Sequence, residues 1–156
     1  MAKEKKIKVK YEEIRNSPLF AGVPDKLVKK VATHFNGRHY SAGDTIIKEH
    51  DIGDFMFIVL SGQVDVLKGH KKIKLATLGP GVFVGEGALV SGAPRNATVV
   101  ASTPVKLAVI HKETYDKMIT THAAISITLI KTHKERCKDT LKKVNIAKSR
   151  AFIVTS

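Results

Sequence analysis

Between Arg38 and Ile110 the sequence breaks into short apolar runs divided by turn residues, and this punctuation most restricts the fold. Strand-like runs occur at 39–40, 45–48, 55–60, 63–68, 72–78, 97–101 and 105–110. Gly43-Asp44, Gly53-Asp54, Ser61-Gly62, Lys68-Gly69-His70 and Gly79-Pro80-Gly81 stand between them. Short strands at regular spacing with such breaks predict an antiparallel sandwich or barrel.

The flanks change period. Residues 11–16 suit a short helix that ends before Ser17-Pro18, and residues 1–10 read as a basic, frayed lead-in. Pro24 and Asp25 suit a helix start, with Leu27, Val28, Val31, Ala32 and Phe35 on one side and Asn36-Gly37 as the stop. After the strands, 111–121 reads as a helix with Tyr115, Met118 and Ile119 apolar. A second helix is expected over about 123–146. Along it Ile127, Ile130, Lys134, Cys137, Leu141 and Val144 recur at spacings of three and four, a stripe free to pack within the chain or to pair two chains. The expected class is α+β: an antiparallel β-roll or jelly-roll barrel with short N-terminal helices and two C-terminal helices.

The chain has 156 residues, enough for one domain with a real core. Its net charge of +13 is uneven. Residues 1–10 carry +4 and residues 131–150 carry +6, leaving +3 for the body. Basic ends of this kind either stay solvated or touch an anionic partner. No aromatic residues interleave with the C-terminal basic residues, which argues against a single-strand nucleic-acid platform. A single cysteine, Cys137, forms no internal disulfide, and lysines near the start precede no apolar signal core. No apolar run approaches a membrane span. These features together predict a cytoplasmic location.

The chemistry concentrates in residues 84–100, V-G-E-G-A-L-V-S-G-A-P-R-N-A-T-V-V. Gly85 and Gly87 bracket Glu86 and allow close backbone approach to a ligand. A helix opening near Glu86 would offer unpaired N–H groups to an anion, and Arg95 would close the other side. Glu86 would repel a phosphate, so it suits a sugar hydroxyl as hydrogen-bond acceptor. Phosphate plus ribose hydroxyl means a nucleotide.

This stretch resembles the phosphate-binding cassette of the cyclic nucleotide-binding domain family, F-G-E-[LM]-A-L followed by a loop and P-R-[AST]-A-[ST]-V. Gly85, Glu86, Ala88, Leu89, Pro94, Arg95, Ala97, Thr98 and Val99 match it. Val84, Gly87 and Asn96 depart from it. Val84 replaces a common Phe and weakens one packing contact, and Gly87 replaces Leu or Met and loosens the short helix by about 1 kcal/mol relative to Ala. The glycines around 55–59 also resemble the family's barrel, with His50 at a usual turn glycine.

The resemblance covers roughly residues 18–145. It implies a lead-in over 1–17, a binding domain over 18–147 (helices 18–36, barrel 38–110, C-terminal helices 111–147) and a tail over 148–156. It implies a ligand site at Val84, Gly85, Glu86, Gly87, Ala88, Leu89, Pro94, Arg95, Asn96, Ala97 and Thr98. Ile130, His133, Lys134 and Arg136 are candidates for a lid on the last helix, which in this family moves on binding. The ligand implied is a cyclic nucleotide, cyclic AMP favoured because no Thr follows the arginine, with cyclic GMP left open because Asn96 can satisfy either base. The partners implied are an effector or a larger host protein, with an oligomer through the last helix open.

No catalytic constellation is present. The seven histidines offer no cupin-type pair, and there is no Walker lysine or G-x-S-x-G elbow. Cys137 has no activating partner in the sequence and suits packing on the helical stripe. The reading is a binder, with no metal or cofactor. Gly87 and Asn96 keep one alternative open, a barrel that binds protein instead of nucleotide. DNA binding through the basic ends lacks a reading helix.

Overall fold

A computed structural model describes the backbone of residues 7–155 and their side chains except those of 119–121 and 144–155. Two antiparallel sheets form the body. Ile7–Lys8 (β1), Asn36–Tyr40 (β2), Phe55–Ser61 (β4), Phe83–Val84 (β7) and Val105–His111 (β9) make one, in the order β1-β2-β9-β4-β7. Thr45–Ile47 (β3), Val64–Lys68 (β5), Ile73–Leu78 (β6) and Thr98–Ala101 (β8) make the other, in the order β3-β8-β5-β6.

Successive side chains on a strand point to opposite faces. On β4 and β9, Phe57, Val59, Leu107 and Val109 enter the interior of the roll beside Ile47, Val64, Val84 and Val99. Their neighbours Met56, Ile58, Ala108 and Ile110 face the other way, onto the helices. The pairing of Phe57 with Val109 and Ile58 with Ala108 keeps the two sets in register. A strand buried on both faces reads as an unbroken apolar run, which is why residues 55–60 show no alternation.

The helices are Tyr11–Ile14 (α1), Asp25–Ala32 (α2), Glu86–Ser91 (α3), Lys112–Thr121 (α4) and Ala123–Thr155 (α5), with a 3₁₀ turn at Pro18–Phe20. Ile14, Leu19, Phe20, Val28, Phe35, Leu89, Ile125 and Leu129 fill the space between them and the five-stranded sheet. Ser17 Oγ donates to the carbonyl of Gly81 at 2.6 Å and fastens this turn to the loop before β7. Among the described residues no helix is long and apolar enough to cross a membrane.

The structure corrects four expectations. Residues 7–10 are not frayed: Ile7 and Lys8 pair with Gly37 and Asn36, and Val9 is buried, because an apolar alternation hides among the lysines. Asn36-Gly37 opens β2 rather than capping α2, which ends at Ala32. β7 was not expected, since two residues leave too short a run to register. Finally, α5 continues to Thr155 through the expected tail, and its Ile127, Ile130, Lys134, Cys137 and Leu141 all point to solvent rather than into the chain. The side chain of Val144 lies outside the described residues.

Candidate functional site

The chain leaves β7 through Gly85, whose φ of 88° only glycine adopts without strain. It then makes the six-residue α3 and leaves through Gly92, which donates its N–H to the carbonyl of Ala88 at 2.9 Å. Within α3, Glu86 is 3% exposed and Leu89 joins the helical core.

Arg95 is held from four directions. Its N–H donates to Asp51 O at 2.7 Å, and its carbonyl accepts from His50 N at 2.8 Å. His50 makes this contact from a left-handed backbone, φ 77°, at the place where a glycine was expected. The guanidinium donates through Nη1 to Gly85 O at 2.7 Å and through Nη2 to Phe55 O, and it sits 4.9 Å from the Phe55 ring centroid. At 6% exposure, burial lowers its pKa, while the carboxylates of Asp54 and Glu86 act the other way. A side chain on Gly53 would lie 2.7 Å from Arg95 Nε and strike Ala88, so glycine there leaves room for the Arg95 side chain.

These groups line a cavity of about 260 Å³, close to the lower end of small-molecule sites, roughly 300–1,000 Å³. Ile47, Val66, Leu75, Leu78, Val84 and Val99 give it an apolar floor, and Glu86 and Arg95 supply opposite charges at one side. The last wall is α5, through His133, Arg136, Asp139 and Thr140.

Three contacts dock α5. Arg136 donates to Glu86 Oε2 and to Phe83 O, both at 2.6 Å, and stacks 5.1 Å from the Phe83 ring centroid. Lys143 donates to Leu75 O on β6 and pairs with Asp139 at 2.9 Å. His133 sits against Gly87: a Cβ there would be 2.8 Å from His133 Cε1. The departure at Gly87 therefore has a spatial reason. The glycine opens the seat for a ring from α5.

Val84, Gly85, Glu86, Gly87, Ala88, Pro94, Arg95, Asn96 and Ala97 line the cavity, as do His133 and Arg136. Leu89 does not, because it faces the core. Thr98 is drawn away as well, with its Oγ1 accepting from Glu49 N at 3.0 Å. Ile130 and Lys134 lie on the solvent side of α5. Sequence reasoning missed Asp139 and Thr140. Helical spacing outward from His133 and Arg136 would have found Thr140, since 133, 136 and 140 share a face, and Asp139 follows Arg136 by one turn. Cys137, expected to pack, is exposed, its Sγ 3.7 Å from His133 Nε2.

A two-sheet β-roll with a charged and apolar cavity under a closing helix is the architecture of a small-ligand binding domain. Residues 37–122 match the family model described as the cyclic nucleotide-binding domain. The chain belongs to that family. It is 34% identical over 110 residues to a cAMP-dependent protein kinase regulatory subunit of Colletotrichum orbiculare, an overlap of 70% of this chain and 28% of that protein. It is also 34% identical over 119 residues to a cyclic nucleotide-gated potassium channel of Mesorhizobium japonicum, covering 76% of this chain and 32% of the channel. Among solved structures, the Thermus thermophilus catabolite activator protein superposes with a TM-score of 0.75 at 27% identity, over 85% of this chain and 63% of that one. The chain thus spans about a third of the length of these two curated relatives.

Proposed function

We propose that the cavity receives a cyclic nucleotide, cyclic AMP in preference to cyclic GMP, and that the chain is a sensor without catalytic activity of its own. The observation that carries this is the burial of two opposite charges, Glu86 and Arg95, against one apolar-floored cavity. Buried charges are expensive unless something pairs with them. Arg95 uses two donors on carbonyls; a guanidinium has five, so donors remain for an anionic phosphate oxygen. Glu86 takes Arg136 on Oε2 and has lone pairs left for a ribose hydroxyl. The base lies on the apolar floor beneath α5, and Asn96 follows the arginine where a Thr would favour guanine.

Ligand and helix meet at the same carboxylate. A ribose hydroxyl on Glu86 shares it with Arg136 or displaces Arg136, and α5 repositions to the extent that the nucleotide binds one helix position better than the other. A full switch from 1:99 to 99:1 needs roughly a 10⁴-fold difference in affinity. The moving helix then reports to an effector, or to the remainder of a host protein.

Calorimetry with cyclic AMP and cyclic GMP tests the reading, on the parent chain and on Arg95→Ala and Glu86→Gln, each shown to be folded by its denaturation curve. Micromolar or tighter binding is expected, tighter for cyclic AMP, and at least tenfold weaker in both variants. No heat with either nucleotide, from folded protein freed of carried-over ligand, would refute it. The barrel would then be a protein-interaction module.

A further inference from the structure

Helix α5 has a second face that the cavity does not use. Of the large apolar side chains exposed among the described residues, Ile127, Ile130 and Leu141 lie on its outward side, 65%, 43% and 64% exposed, and only Ile52 lies elsewhere. At 100° per residue these three and Cys137 form a single stripe, about 120° round the helix from the face bearing Leu129, Arg136 and Thr140. Lys134 interrupts the stripe, and Lys131, Lys138 and Lys142 run along one edge of it. None of the four lysines has an ion-pair partner among the described residues; of the two acids beside them, Glu135 and Asp139, the second pairs with Lys143 instead.

We propose that this face docks an acidic amphipathic helix of another protein. An apolar stripe at heptad spacing matches a helix that carries its own stripe. The charge decides which helix. With a second copy of this chain, full overlap of the stripes sets Lys134 against Lys134 whether the helices run parallel or antiparallel. The antiparallel arrangement also sets the two lysine edges against each other. Like charges so placed repel. A partner with Glu or Asp flanking its apolar positions answers all four lysines, and the stripe interruption at Lys134 becomes a point of register.

The test uses the full chain and a labelled peptide of about three heptads with Leu at the core positions and Glu at the flanks, whose own charges oppose self-pairing. Its twin carries Lys for every Glu. Fluorescence anisotropy is expected to show micromolar binding of the acidic peptide, weakened by salt, and at least tenfold weaker binding of the twin. Ile127→Ser/Leu141→Ser and Lys134→Glu/Lys138→Glu, all at exposed positions, should each cost tenfold or more. Equal binding of the two peptides, full binding by the variants, or no binding at all would overturn the proposal. Self-association in sedimentation equilibrium that the same variants abolish would assign the face to a second copy. Binding to phosphatidylserine vesicles without binding the peptide would assign it to a membrane, and both results count against the proposal.

Discussion

Replacing Gly87 by Ala should stabilise the fold only when His133 is absent. Gly in a helix costs about 1 kcal/mol against Ala, so in a His133→Ala background the substitution should stabilise by about that amount. With the ring in place the new Cβ lies 2.8 Å from Cε1 and 2.9 Å from Nδ1. The ring ends a half-buried, rotatable side chain, so the clash belongs at the low end of overpacking costs, about 1 kcal/mol, and offsets the helical gain. A double-mutant cycle by urea denaturation should therefore return a coupling of about 1 kcal/mol. That corresponds to a midpoint displacement of about 0.5 M for an m-value near 2 kcal/mol/M. Hydrogen exchange of the amides over 133–143 gives a second reading, expected to speed up in Gly87→Leu as the ring is pushed off its seat. Additivity within about 0.5 kcal/mol would refute the reasoning. Gly87 would then not be the clearance for α5.

Three further outcomes follow from the same geometry. Gly53→Ala should destabilise the fold by about 1–3 kcal/mol and weaken nucleotide binding in calorimetry, since its Cβ strikes Ala88 and the Arg95 side chain. Glu13 has its pKa lowered, chiefly by the hydrogen bond from Lys106 at 2.9 Å. Its contribution is therefore present above the ordinary value of 4.5 and is lost as pH falls through the folded pKa; Glu13→Gln should flatten that acid limb in pH-dependent denaturation. Burial pushes the Tyr115 phenol up to about 12, so stability should hold below about pH 10 and fall as pH rises toward 12, where the unfolded chain loses this proton first. Tyr115→Phe should remove that loss.

The sheet body was legible because turn glycines and apolar runs are local signals. The strand limits moved by only a residue or so at most ends, although β2 begins at Asn36, three residues before the expected run. β1 was hidden because its two residues sit among lysines and gain their order from Gly37, far along the chain. The cassette could be read almost whole, since Gly85, Glu86 and Arg95 are close in sequence. The helical wall was harder. Ile130 and Lys134 looked as suitable as His133 and Arg136 by spacing, but which face of α5 turns inward is fixed by Ile125 and Leu129 entering the core before the cavity begins. Gly87 read as a weakness in α3 because its reason, the ring of His133, lies 46 residues downstream.

If α5 repositions as proposed, its length would turn a small event at Arg136 into a large one elsewhere. Leu129 is fully buried and makes a natural pivot. From there Arg136 lies about 10 Å along the axis and the helix end about 39 Å, at 1.5 Å per residue. A straight helix pivoting on Leu129 is thus a lever with a mechanical advantage of roughly one to four. One ångström of give beside Glu86 would then become about 4 Å of travel at the far end.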